Sequence, residues 1–233
     1  DGDNSVMKIS ISMRAAAAAA TIAILLTATA WSAENSLMAQ LEKRHLVWNG
    51  FVDNLYALHK QRLQGVDYYT EESIGGYGGL TDDLNFYHET RFFDSNNGKL
   101  LAVLQMEKKN PKNIHSIDVY IYDEQGRLLR EYSATYLPSR RTSPLETVIT
   151  LHAYANKLHS FREFDASDIL FYEQCTDAVN EKNVLFALHY EDIPGSLNEL
   201  EPNQQQNYRA CFSHLGSSAG AYLNPLVELS GSN

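Results

Sequence analysis

Between Leu84 and Tyr136 apolar side chains recur at every second position, and short clusters of Asn, Asp and Gly interrupt them. That combination leaves few folds open, because a period of two sends successive side chains to opposite faces of a strand. Leu84, Phe86, His88, Thr90 and Phe92 share one face, with Asn85, Tyr87, Glu89 and Arg91 on the other. Asn96-Asn97-Gly98 follows, a hairpin signal because Asn and Gly accept positive φ. Residues 99–107 are the return strand. Beyond Asn110-Pro111, Ile117, Val119 and Ile121 alternate with Asp118, Tyr120 and Tyr122. Asp123-Glu124-Gln125-Gly126 then reverses the chain into residues 127–136. Four consecutive strands joined by short turns read as an antiparallel meander.

A helical period precedes this region. Leu37, Leu41, Trp48, Phe51, Val52, Leu55 and Leu58 recur at spacings of three and four, so they gather on one face of a helix over residues 35–64. Gly65 is expected to end it in a left-handed cap, and Lys60 and Arg62 suit the negative end of its dipole. The glycine-rich stretch 73–80, with Gly75-Gly76-Tyr77-Gly78-Gly79 inside it, reads as a flexible connector, with a lid over a pocket as its functional alternative. After Pro138, Ser143 and Glu146 have capping-box spacing and Pro144 occupies the first helical position, which predicts a second helix over 143–156. Strands follow at 158–164, 169–175 and 184–190, and a short helix at 205–212. The expected fold class is therefore α+β: a long N-terminal helix packed on a curved antiparallel meander of six to seven strands, with a second helix inserted after strand four.

The N-terminus carries an address. Met7, Lys8 and Arg14 form a short basic region, an uncharged alanine-rich run spans residues 15–30, and Ala28-Thr29-Ala30 closes it. Basic start, apolar centre and Ala-x-Ala end are the parts of a cleavable secretory signal peptide. The run is too short and too rich in alanine for a spanning helix. Residues 1–33 are thus assigned to upstream sequence and a Sec-type bacterial signal, cut after Ala30 or Ala33, and residues 34–233 to one domain, periplasmic or secreted. Cys175 and Cys211 are the two cysteines. An even count in an oxidising compartment predicts a disulfide, and the pair lacks the close spacing of redox or metal sites. The net charge of −10, without a basic stripe, argues against nucleic acid as a partner.

Motifs for a nucleophile elbow, a zinc helix, a phosphate loop or a dinucleotide site are absent, so no cofactor or metal is expected. The catalytic candidates are His152, His159, Asp165 and Asp168. On a helix His152 and His159 would stand about 10 Å apart, which favours buried structural histidines. Asp165 or Asp168 beside His159 is the carboxylate–imidazole alternative. Tyr120, Tyr122 and Tyr132 are expected to share a sheet face as a cross-strand ladder or contact surface. Two classes of function remain. One is an exported accessory or binding protein whose partner is a periplasmic protein or a small apolar ligand. The other is a hydrolase or metal-dependent enzyme using the His/Asp cluster of residues 152–168.

Overall fold

The computed structural model describes residues 14–75, 86–137, 142–180 and 182–230, with side chains from residue 39 onwards. Two compact units divide the chain, Asp1–Lys43 and Arg44–Asn233. Helix α1, Arg14–Gln64, supplies the described residues of the first unit and continues into the second. Among the described residues, no helix is long and apolar enough to cross a membrane.

Among the described residues of the second unit, nine strands follow α1: β1 (Tyr68–Gly75), β2 (Tyr87–Asp94), β3 (Leu100–Glu107), β4 (Asn110–Tyr122), β5 (Leu128–Thr135), β6 (Glu146–Ala155), β7 (Leu158–Phe164), β8 (Leu170–Asp177) and β9 (Val184–His189). Each pairs antiparallel with the next, so spatial order equals chain order. The predicted meander is present and longer than expected.

Trp48, Phe51, Val52, Leu55 and Leu58 of the predicted apolar face of α1 are buried, whereas Leu41 of the same stripe is exposed and the Leu37 side chain lies outside the described residues. The buried residues pack on Ala102, Ile117, Val119, Tyr132, Ile149 and Phe164, which the strand registers bring to one side of the sheet. Helix α2 (Pro202–Phe212) follows β9 and covers the same side further along. Its Tyr208, Cys211 and Phe212 form a second cluster with Cys175, Phe186 and Leu188. Short 3-10 turns at Gly220–Leu223 and Pro225–Leu229 then run back, and Tyr222, Leu223, Leu226 and Leu229 pack on the main core. Arg44 to Gln64, α2 and the tail therefore all cover one face.

Three expectations are corrected. The helix expected at 143–156 is strand β6, and the helix outside α1 lies near the C-terminus. Thr147, Val148, Ile149 and Thr150 form a β-branched run whose χ1 freedom suits a pleated surface. Paired on both sides by β5 and β7, it outweighs the capping signal of Ser143 and Glu146. The sheet has nine strands among the described residues rather than six to seven, because β6 joins it and because β1 fills the unassigned residues before the predicted connector and the connector's first three, 73–75. Tyr68, Tyr69 and Thr70 begin β1 with strand-favouring side chains, and Tyr69 stacks on Phe93 with centroids 5.2 Å apart. Residues 76–85, 138–141 and 231–233, which include the rest of the glycine-rich stretch and Pro138, lie outside the described residues. Gly65 ends α1 by donating its N–H to the Arg62 carbonyl, with φ outside the left-handed region.

Candidate functional site

The face of the sheet opposite the helices carries the side chains that alternate with the core. Along β6 these are Thr150, His152 and Tyr154, since Ile149 and Leu151 point to the core. Register places His152 opposite Phe161 and Tyr154 opposite His159. The two histidines are thus diagonal neighbours across a hairpin, and His152 Nδ1 lies 3.0 Å from His159 Nε2.

On the other side of His152, Glu131 Oε1 of β5 stands 3.4 Å from Nε2, while the imidazole side chain is only 6 % exposed. Nε2 makes no hydrogen bond. Electrostatics selects the tautomers. With the proton on His152 Nε2 a positive edge faces the carboxylate, and His159 Nε2–H then donates to His152 Nδ1. The opposite assignment would aim a lone pair at the carboxylate. Glu131, His152 and His159 so form a short chain of groups able to hold or pass a proton.

Rings continue the patch. Tyr154 lies parallel to His159 at 4.5 Å between centroids, with the Arg127 guanidinium 4.8 Å from the Tyr154 centroid. Phe161 bridges His152 (5.5 Å) and Tyr172 (5.8 Å), and Tyr172 meets His189 of β9 at 4.9 Å.

Carboxylates alternate with these rings. One row across the sheet reads Tyr120, Glu131, Thr150, Glu163, Tyr172, His189. Burial pushes Glu163 up to about 7, and the charges of Glu131 and Glu146 act in the same direction. Asp118, one strand further, is raised by burial despite a hydrogen bond from Ser133, with Glu131 and Glu89 adding to the rise. Both shifts come first from burial, and neighbouring carboxylates add to each. Among the described residues no group of three or more His, Cys, Asp or Glu has the geometry to hold a metal ion.

The other sequence candidates are placed elsewhere. Asp165 and Asp168 occupy the β7–β8 turn, about 20 Å along β7 from His159 at strand rise. Asp165 Oδ1 accepts the N–H groups of Ser167 and Ile169, and Arg44 lies 3.8 Å from its Oδ2. Asp168, at φ 66°, accepts from the Ser218 hydroxyl and the Ala219 N–H. Both carboxylates hold backbone in place and neither is brought to a histidine.

The three tyrosines do not share a face. Tyr132 is fully buried beneath α1 and donates its hydroxyl to Glu228 Oε1 at 2.8 Å. Tyr122 donates to the Leu100 carbonyl under the Lys99 ammonium. Tyr120 alone is paired with Glu131, at the rim of the acidic row. Cys175 and Cys211 are bonded. Glu163 lies within the acidic segment that sequence reasoning singled out, while Glu131, Asp118, Tyr154 and Tyr172 are members of the site that it missed. The signal that could have found them is the period of two in residues 146–155, read across to the neighbouring strands. An open groove of about 460 Å³ lies elsewhere, lined by Arg44, Trp48, Leu145, Ile169 and Phe171 among others.

Comparison of the chain with protein-family models, with curated proteins and with solved structures finds no match.

Proposed function

We propose that this chain is an exported accessory protein that binds a partner on the uncovered face of its sheet. One observation carries the reading: residues 44–64 of α1, α2 and the tail lie on one face, while the opposite face holds contiguous aromatic and imidazole rings interleaved with Glu131 and Glu163, which among the described residues have no Lys or Arg partner. Half-buried aromatic rings with polar tips bury much area at little entropic cost, which suits them to contact surfaces. Export rests on the leader, with cleavage after Ala30 or Ala33, and agrees with the Cys175–Cys211 bond, since disulfides persist in oxidising compartments.

The test is native mass spectrometry of the protein purified from a periplasmic fraction, beside a variant carrying Phe161→Ser and Tyr172→Ser. The wild type should retain a bound species that the double variant loses. Equal retention, or none in either, overturns the reading.

A second reading, acid–base catalysis, is favoured by the Glu131–His152–His159 chain, with contacts of 3.4 and 3.0 Å. Here Glu131 orients His152 and His159 is the terminal group exposed to substrate. It replaces the pairing of His159 with Asp165 or Asp168 as the site of a hydrolase. The same preparations, assayed for ester and amide hydrolysis, should lose any turnover when His152 becomes Gln.

A further inference from the structure

We infer that the uncovered face recognises a basic, extended peptide segment, whose ammonium or guanidinium groups seat between Glu131 and Glu163 against the rings of Tyr172 and Phe161. This rests on the reading of that face as the binding surface and names the chemistry of its partner.

The fold leaves negative charge unbalanced on this face. Asp118, Glu131 and Glu163 stand on β4, β5 and β7, on one face. Among the described residues, the nearby arginines of that face are already engaged. Arg91 donates to Glu89 at 2.7 Å, and Arg127 donates to Asp123 at 2.8 Å while lying over Tyr154. Among the described residues Glu163 has no hydrogen-bond or ion-pair partner, and burial together with the charges of Glu131 and Glu146 acts on it. A half-buried carboxyl facing only like charges costs stability and returns nothing to the fold itself.

A second, independent feature points the same way. The His152 side chain is 94 % covered, and its Nε2 is turned to Glu131 Oε1 without a hydrogen bond. Glu131 is therefore flanked by an imidazole edge that neutralises it only in part. A cation placed between Glu131 and Glu163 offsets both carboxylates at once. Tyr172, paired with Glu163 across β8, and Phe161 beside it offer ring faces to the same cation.

Geometry selects a peptide over a small molecule. Two surface cavities, one beside Arg44 and Trp48 and one beside Gln64 and Asn96, are lined by none of Glu131, Phe161, Glu163 and Tyr172, and small ligands bind in concave sites that bury most of their area. Glu131 and Glu163 are two strand spacings apart, about 9.5 Å, and alternate side chains of an extended peptide repeat every 6.6–7 Å or so. Long Lys or Arg stems close that difference.

The experiment is fluorescence anisotropy of a labelled alternating Thr-Lys octapeptide amide at low salt, with an alternating Thr-Glu octapeptide and free spermidine as comparisons. The Thr-Lys probe should bind, and its Kd should rise about tenfold in the Glu131→Gln, Glu163→Gln double variant. Glu71→Gln with Glu72→Gln, on β1 outside the row, should leave Kd unchanged. Both replacements at the site are isosteric and relieve repulsion, so a higher melting temperature accompanies the loss of affinity and shows that the fold is intact. Equal binding of the Thr-Glu probe, or a Kd indifferent to the double variant, overturns the inference. Spermidine binding as tightly as the peptide, with the same dependence on the two glutamates, overturns its assignment to a peptide. If the peptide fails while Phe161→Ser with Tyr172→Ser still strips the purified species, the cationic chemistry is wrong and the binding face stands; if both fail, the face itself is wrong.

Discussion

Protonation at Glu163 links a single side chain to the stability of the whole domain. Burial, then Glu131, then Glu146 lift its carboxyl from 4.5 to about 7. The folded state therefore holds this proton more tightly than the unfolded chain does. Its contribution to stability is fully present below about pH 4.5 and is lost as pH rises through about 7. Glu163→Gln keeps the neutral shape and removes the titration. In chemical denaturation the variant should exceed the wild type by about 1 kcal/mol at about pH 8, after allowance for solvent screening, and match it at about pH 4. Equal curves at the higher pH would show that solvent screens the carboxyl fully. His59 acts in the opposite sense. Burial first, then Lys60 and Arg62, lowers its ring to about 4, so its share of stability is present above about 6.5 and lost as pH falls through about 4. That slope is common to both proteins and cancels in the comparison.

At the level of elements, the β6–β7 hairpin explains what sequence made legible and what it hid. The strands whose apolar positions alternate, and the buried stripe of α1, follow from periodicity alone. Glycine turns were legible too: Gly98 and Gly126 both have positive φ, 70° and 82°, and each closes a turn by donating its N–H to Asp94 or Asp123. Strand β6 was hidden because Ser143, Pro144 and Glu146 mimic a helix start, and that error carried the histidines with it. Seven residues of helix separate His152 from His159, whereas seven residues of hairpin fold them together. The turn was equally unmarked. Asn156 and Lys157, at φ 52° and 64°, form a two-residue connection flanked by the Ala155–Leu158 pair. Both central residues of such a turn need positive φ, and Asn-Gly is the usual signature. Lys157 is strained there, because its Cβ crowds the following carbonyl. Lys157→Gly should therefore stabilise the domain by about 0.5–1 kcal/mol in urea titration. A loss of stability instead would show that the Lys157 stem contributes more by packing than its backbone costs.

Across the whole molecule, the one-sided covering of the sheet divides the labour between disulfide and hydrogen bonds. Among its described residues the C-terminal segment has no strand of its own, and four of its ties to the sheet stand out. Cys211 is bonded to Cys175. Arg162 donates to the Leu215 and Gly216 carbonyls at 2.9 Å while pairing with buried Glu173. Asp168 accepts from Ser218 and Ala219, and Glu228 accepts from Arg130 and from Tyr132. Three of these ties are polar and depend on the segment already being in place, whereas the covalent one restricts the unfolded chain. It closes a separation of 36 residues, which in the chain-entropy model is worth roughly 3.5–4 kcal/mol. Replacing both cysteines with alanine should remove about that much in guanidinium titration, a large share of the 5–15 kcal/mol typical of a domain. The loss should also be uneven. Helix α2 rests on a cluster of Cys175, Phe186 and Leu188 at the β9 edge, apart from the core that α1 buries. In native-state hydrogen exchange, amides of α2 and the tail should therefore lose protection in the double alanine variant while β3–β6 keep theirs. Glu131 and His152 stand on the opposite face of β5 and β6, which stay protected, so their contact should survive. Uniform loss of protection from β3 to α2 would mean that the tail is part of one cooperative core, and that the uncovered face is only as stable as the disulfide behind it.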